Sequence, residues 1–312
     1  MPLESGMDPQ FFQTVALVTI FGGFLANEWR RGELRPRMAG PQDDRLDVAI
    51  LVVFPLVFAG VLAASTALCA WLMPAQRDAL AQWPWWAMLG TLLVADDLTQ
   101  YLWHRLSHTS LMWPLHRVHH SAAYMSVRVV YRNNALYYAM MPGLWLSGVL
   151  VFLGFGWVYA FYSAVKIAVI IGAHSSWRWD EALYKIPALH PLMWLLERTI
   201  STPATHHAHH ALTQEDGVGH YAGNFGNLLF LWDMIFGTAR ITRRYPPAYG
   251  LADDRAHGTE RWSTQLFYPF LRSRRTATAL SWPPGRPPQP ARPSQPEAAP
   301  GRAGSRSVPP SA

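Results

Sequence analysis

The chain has 312 residues, half of them hydrophobic, with 15% charged residues and fifteen tryptophans. Soluble domains carry nearer a quarter charged residues, so this composition, with its apolar residues gathered in blocks, argues against an ordinary soluble globule and for a chain embedded in a bilayer. Net charge is +6, yet Lys166 and Lys185 are the only lysines, and no basic stripe or nucleic-acid module accompanies the arginines, so nucleic-acid binding is set aside.

Apolar runs near 11–27, 48–73, 85–103, 136–153 and 157–173 are candidate spans, a full crossing taking about 20 apolar residues. The segment Met1 to Gln10 has no basic n-region, and the run after it ends in Asn27-Glu28-Trp29 without a small-residue cleavage site. It reads as a retained membrane segment rather than a signal peptide. Arg30, Arg31, Arg35 and Arg37 follow the first run, which puts that loop in the cytoplasm by the positive-inside rule. The third run carries Asp96 and Asp97, which should face the bundle interior or a metal site rather than lipid. The fourth and fifth runs are short and suit a shallow hairpin around Gly154-Phe155-Gly156-Trp157. Cys69, the single cysteine, excludes an internal disulfide, a Cys-ligated zinc site and a Cys₄ iron–sulfur cluster. Residues 174–245 mix polar and aromatic side chains and suit short helices capping the bundle. From about Ser281 the Pro- and Arg-rich tail buries too little to fold.

Three histidine clusters stand out: His104-x-x-x-His108, His116-x-x-His119-His120 and His206-x-x-His209-His210. Residues three and four apart share a helix face, so each cluster can aim two or three imidazoles at one point. Eight imidazoles exceed the three protein ligands of a single catalytic zinc, and two metal ions sharing the set is the natural count. Imidazole suits iron, zinc, copper and nickel alike. The chain has neither Glu-x-x-His, as in soluble di-iron carboxylate bundles, nor His-Glu-x-x-His. Five crossings would bring all three clusters to the cytoplasmic face.

Asp97-x-x-x-Tyr101-x-x-His104-Arg105-x-x-His108, Trp113-x-x-His116-Arg117-x-His119-His120-Ser121 and Thr202-Pro203-x-x-His206-x-x-His209-His210 together resemble the fatty acid hydroxylase/sterol desaturase superfamily. Asn224-Phe225-Gly226 and Trp232-Asp233-x-x-Phe236-Gly237-Thr238 are similar to that family's closing signature. The resemblance covers roughly residues 90–240. It implies an all-α integral membrane bundle of about four to five spans, with a cytoplasmic histidine-rich helical cap holding a dinuclear metal site. It further implies two iron ions per chain on the eight cluster histidines, O₂ as co-substrate, and oxidation of a lipid C–H bond. His174 sits where the family often has another histidine and is expected as a ninth ligand. Asp97 is expected to accept the far N–H of a ligand histidine and fix its tautomer. Asn224 and Asp233 should serve structure around the site, with Gly226 and Gly237 permitting turns. His207 points about 100° away from His206 and suits an outer or surface role, and His257 falls outside the site. Arg105 and Arg117 should snorkel to lipid phosphates. Tyr101, Trp103 and Trp113 suit belt or packing positions, and Lys166 is either snorkelling or partnered inside the bundle. Val129 to Asn134 depart from the family and suit the substrate path.

Gly217-x-Gly219 lacks the setting of a dinucleotide motif, and no flavin motif is present, so electrons must come from an external reductase, ferredoxin or cytochrome at the cytoplasmic face. The domain reading is membrane spans over 1–84, the catalytic unit over 85–245 and a C-terminal segment over 246–312. The alternatives are a membrane metal-binding or transport protein, which would need polar residues along several spans, and a bis-histidine haem protein, for which the H-x-x-H-H triplets are wasteful. Hydroxylation is favoured modestly over desaturation, and the identity of the lipid stays open.

Overall fold

The structure, a computed structural model, describes residues 8–275 and 278–281, and among these every regular element is helical. Only isolated bridges, Ile200 with Leu229 and Ala211 with Tyr249, pair extended backbone. Asp8 caps α1 (Pro9–Arg30) through the Gln10 amide, and Pro41 opens α2 (Pro41–Leu72). α3 (Trp85–Leu92) runs through a π-helical turn at Leu93–Leu98 into α4 (Thr99–Ser107). α5 (Trp113–His120) and α6 (Ala135–Ala139) lead to α7 (Pro142–Leu150). A second π-helical turn, Val151–Phe155, precedes α8 (Gly156–His174).

Three segments are long and apolar enough to cross a membrane: Pro9–Arg30, Pro41–Leu72 and Ala135–His174. Their outward side chains fit lipid as solvent: Val18 on α1 and Leu51, Leu56 and Trp71 on α2 are all exposed. The third segment is not one straight rod, which would be about 60 Å long. Asn133, just before it, bonds His116, while His174 at its end lies 3.3 Å from His119, and the His116 and His119 rings are 5.1 Å apart. Both ends therefore meet at one place and the segment folds back. The reversal is at Gly154, whose φ of +109° favours glycine and whose Cβ would sit 2.8 Å from the Ala81 backbone nitrogen. Five helical legs thus run between a far end, where Pro9 meets Gly156 and Asp78 bonds Phe152, and a near end that holds the histidines. α1 packs on α8, and α2 on α7.

Buried charges pin the near end. Glu28, fully buried at the end of α1, accepts from Ser126 Oγ (2.5 Å), the Val127 amide (3.0 Å), Ser175 Oγ (3.1 Å) and the Ser176 amide (2.9 Å). Arg132, also fully buried, pairs with Asp43 (2.7 Å) and Asp47 (2.8 Å) at the start of α2. Each carboxylate or guanidinium is matched, as burial of a charge requires. Lys166 is partnered inside the bundle, 2.6 Å from Asp96, which also accepts from Tyr162 at 2.8 Å.

Short helices cover the near end: α9 (Trp179–Tyr184), α10 (His190–Thr199), α11 (Pro203–His209) and α12 (Leu231–Phe236). The chain then adds α13 (Ala252–His257) and α14 (Trp262–Phe267), the latter packed on α2 and α5. Arg117 corrects the snorkelling expectation. It is buried and pairs with Asp254 (2.7 Å) and Asp253 (3.1 Å) of α13, because α13 covers the face of α5 that would otherwise meet headgroups. Arg105 is exposed. Ser281, where the Pro- and Arg-rich tail was expected to begin, is buried, and residues 282–312 lie outside the described residues.

Candidate metal centre

Four helices deliver nine histidines to one buried volume. α4 supplies His104, with His108 as its C-cap residue, α5 supplies His116, His119 and His120, and the last residue of α8 is His174. α11 supplies His206 and His209, followed by His210. It starts sharply because Thr202 and Thr205 form a reciprocal cap, Pro203 occupies its first position, and Asp180 accepts from the Ala204 amide at 2.9 Å.

The histidines divide into two groups whose donor atoms lie within 4.8 Å of one another: His104, His108, His116, His120 and His209, and then His119, His174, His206 and His210. The helix period explains the division. His116 and His120, four apart, go to the first group, while His119, rotated off their line, goes to the second. On α11, His206 and His210 go together to the second group and His209 to the first. All eight cluster histidines are thus brought together, and His174 joins them.

The hydrogen bonds fix which nitrogen of several rings is bare. Nδ1 of His104 faces the Phe225 carbonyl (2.7 Å), Nδ1 of His209 the Gly223 carbonyl (2.7 Å), Nδ1 of His119 the Arg132 carbonyl (3.1 Å) and Nδ1 of His174 the Ile170 carbonyl (2.8 Å). A carbonyl oxygen only accepts, so each Nδ1 carries the proton and each Nε2 a lone pair. Those Nε2 atoms nonetheless converge, His104 and His209 at 3.1 Å and His119 and His174 at 3.3 Å, with Nε2 of His206 a further 2.9 Å from that of His174. Nε2 of His108, His116 and His120 is buried with no partner at all. Lone pairs set against lone pairs out of reach of water are unfavourable unless a cation lies between them, and neutral imidazole is the form a metal takes. Burial, reinforced by the neighbouring rings, holds His108, His116, His119, His120, His206 and His210 well below the usual histidine range. Burial does the same for His209 and puts His104 at about 4. The donor set fits transition-metal ions in both groups.

Two expected supports act differently from the sequence reading. Asp97 bonds no histidine: its Oδ2 accepts from Trp232 Nε1 (2.8 Å) and the Leu229 amide (3.2 Å). The π-helical turn around it aims the carboxylate at Leu229 and at Trp232 in the first turn of α12 instead of at a histidine. Asn224 does not touch a histidine either, yet it shapes the site. At φ +56° it donates to the Thr205 and Arg240 carbonyls (2.9 and 3.0 Å) and accepts from the Arg240 amide (2.7 Å). That fixes the two carbonyls on either side of it, which hold His209 and His104. Asp233 accepts from the Phe225 and Gly226 amides and from Thr238 Oγ1, while Gly237 turns the chain at φ +69°.

His207 is buried outside both groups, between Tyr249 Oη (3.0 Å) and the Ser175 carbonyl (3.1 Å), and burial lowers it to about 3. His190 is exposed, His220 bonds the Thr238 carbonyl, and His257 is exposed beside Asp253. Tyr101 and Trp103 are buried packing residues, and Trp113 lies against His108 and His120. Sequence reasoning missed Asn133, whose Oδ1 takes the Nδ1 proton of His116 at 3.0 Å, and Tyr137, stacked on the same ring. The one signal was position: Asn133 falls in the stretch expected along the substrate path. A cavity with about 170 Å³ of open space, lined by His104, His116, His119, His174, Val130 and Asn133 among others, does lie there, between α1, α2, α7 and α8.

Residues 89–238 match the model of the fatty acid hydroxylase family. The chain is 27% identical over 201 residues to an alkylglycerol monooxygenase of Danio rerio, covering 61% of this chain and 37% of that protein. It is 28% identical to the Xenopus tropicalis alkylglycerol monooxygenase (54% and 33% covered) and 27% identical to the Homo sapiens one (50% and 30%). The chain therefore spans only about a third of the length of these curated relatives. No solved structure matches it. The histidine motifs, their two-group geometry and the match to the fatty acid hydroxylase family all fall on the same residues, so the segment 89–238 is similar to that family in both sequence pattern and site.

Proposed function

We propose that this protein is a membrane-bound, O₂-dependent di-iron oxygenase that hydroxylates an aliphatic C–H bond of a lipid. The observation that carries the reading is the pair of buried histidine groups with bare, converging Nε2 atoms. His104, His108, His116, His120 and His209 would hold one iron, and His119, His174, His206 and His210 the other. When bound, the iron pair supplies O₂ activation, one oxygen atom entering the C–H bond and the other leaving as water with two external electrons and two protons.

The chain's own residues do the rest. The carbonyls of Phe225, Gly223, Arg132 and Ile170, and the Asn133 amide, hold ring orientation and tautomer. Phe54, Phe58, Tyr131 and Tyr138 line the approach to His104 and His119, giving an acyl or alkyl chain an apolar path and excluding water from the reacting carbon. The relatives' names make alkylglycerols the first lipids to assay. With no dinucleotide motif in the chain, a separate protein, a reductase, ferredoxin or cytochrome, would deliver the electrons.

The domain boundaries belong to the same proposal: spans over 1–84, a catalytic unit over 85–245, and a C-terminal segment from 246 whose α13 and α14 brace α5. Arg30, Arg31, Arg35 and Arg37 share the near end with the histidines, which supports a cytoplasmic site and five membrane-embedded legs.

The test is elemental analysis of the detergent-purified chain with Mössbauer spectra of an iron-57 sample, followed by turnover of alkylglycerols under O₂ with a chemical reductant. About two coupled irons per chain and a hydroxylated product are expected. Only zinc after anaerobic iron loading, or haem absorbance, would refute the reading.

A further inference from the structure

The cavity beside the histidines is not uniformly apolar. Gln13, Asp96, Gln100, Ser163, Lys166 and Asn227 also line it. Some of these polar groups are internally matched: Lys166 with Asp96 at 2.6 Å, and Gln13 Nε2 donating to Ser163 Oγ at 2.9 Å. Others are not. Gln100 Oε1 is buried with no hydrogen-bond partner, and Asn227, half-buried at the cavity wall, makes no side-chain hydrogen bond among the described residues. A buried polar group without a partner is costly, and when it lines a cavity the ligand is the partner. Gln100 stands four residues before His104 on one face of α4, which sets their Cβ atoms about 6 Å apart, and both side chains line the cavity.

The open valences describe the ligand. Gln100 and Asn227 each offer a carbonyl oxygen and an N–H₂, and Lys166 keeps N–H donors beyond the one given to Asp96. A hydroxyl, which both donates and accepts, satisfies such a set. A carboxylate or phosphate only accepts. It would bring a second negative charge to a lysine that Asp96 already neutralises, at a depth where unpaired charge is costly. An engineered cavity of about 150 Å³ takes up benzene, so this one has room for a small polar end and a few carbons, with the rest of the chain leaving toward lipid.

We propose that Gln100 and Asn227, backed by the neutral Lys166–Asp96 pair, bind the uncharged hydroxyl-bearing end of the lipid beside the metal centre, so that the carbon oxidised lies close to that end. The second clause rests on the oxygenase reading, whereas the first does not. The test is equilibrium binding of a tritiated long-chain alkylglycerol, the fatty acid of equal length and the corresponding alkane to the full chain in nanodiscs, without reductant so that nothing turns over. The alkylglycerol should bind about tenfold or more tighter than the acid, about the effect of one or two satisfied hydrogen bonds. In Gln100→Leu, and separately in Asn227→Leu, the ratio of alkylglycerol to alkane affinity should fall about tenfold. Reading the ratio removes any general loss of folded protein. An unchanged ratio in both variants, or an acid that binds as tightly as the alkylglycerol, would overturn the assignment. Adding O₂ and reductant then tests the second clause. Oxidation at the far methyl end refutes it, whereas retained discrimination in binding with no turnover counts against the oxygenase reading and leaves the binding site standing.

Discussion

Asn224 is the position where a small change should reach the metal centre without touching a ligand. Its replacement by alanine removes two donors from the Thr205 and Arg240 carbonyls and one acceptor from the Arg240 amide. Each buried partner left unmatched costs about 1 kcal/mol or more, and alanine at φ +56° adds about 1 kcal/mol of strain that asparagine tolerates better. The sum is about 4 kcal/mol, a large part of the 5–15 kcal/mol that holds a typical domain together. The loss is local, however. The loop 223–225 carries the carbonyls that fix His209 and His104, both in the first histidine group, whereas His119 and His174 of the second group are held by Arg132 and Ile170. Asn224→Ala should therefore weaken metal binding about 10- to 100-fold at the first group and little at the second. Metal titration with elemental analysis of protein washed against a graded chelator reads this directly: one ion should leave well before the other. Asn224→Gly separates the two causes, because it relieves the strain and leaves the bonds missing, and it should behave as the alanine variant does at the metal. Two ions released together at the wild-type chelator concentration would refute the reasoning.

Other expectations follow the same logic. Asn133→Leu deprives His116 Nδ1 of its acceptor and should cost about 10-fold or more in affinity at the first group, with Asn133→Asp restoring most of it in the same titration. Arg117→Met leaves the buried Asp254, whose carboxyl burial already pushes up, without its main partner; it should destabilise the fold by about 3–5 kcal/mol, seen as a lowered Tm in detergent. Acidification should unfold the cap. The buried histidines are depressed below their ordinary 6.5, so the unfolded chain binds more protons. Stability is then fully present above about pH 6.5 and is lost as pH falls toward the folded value, about 4 for His104. A metal-free sample whose Tm is flat between pH 7 and pH 5 would contradict this.

The histidine spacing carried most of the site, because a helix turns three- and four-residue intervals into one face. It could not say which metal group each ring joins, since that depends on how α4, α5, α8 and α11 cross. His174 was legible only as a position after the last apolar run; its place beside His206 comes from α8 packing on α11. Four of the five apolar runs fall in the three segments long and apolar enough to cross a membrane, and the return at Gly154 followed from short runs flanking glycines. Asp97 was misread because sequence spacing alone cannot show that a π-helical turn rotates its carboxylate away from the histidines. Arg117 was misread because the acids that bury it, Asp253 and Asp254, lie 136 and 137 residues downstream. The Asn133 contact was invisible for a similar reason: a loop residue meets its histidine only once α5 and α6 are docked.

Four of the nine imidazoles are steadied by main-chain oxygen rather than by an acidic side chain. Every amino acid carries that oxygen. The tautomer lock itself is therefore blind to the side chains at 132, 170, 223 and 225, and what constrains two of those positions is something else: the ion pairs of Arg132 with Asp43 and Asp47, and the Thr238 carbonyl that a Cβ at Gly223 would strike. What the lock asks of these four positions is the course of the backbone, which a distant change that shifts the 223–225 loop would disturb as surely as the loss of a ligand.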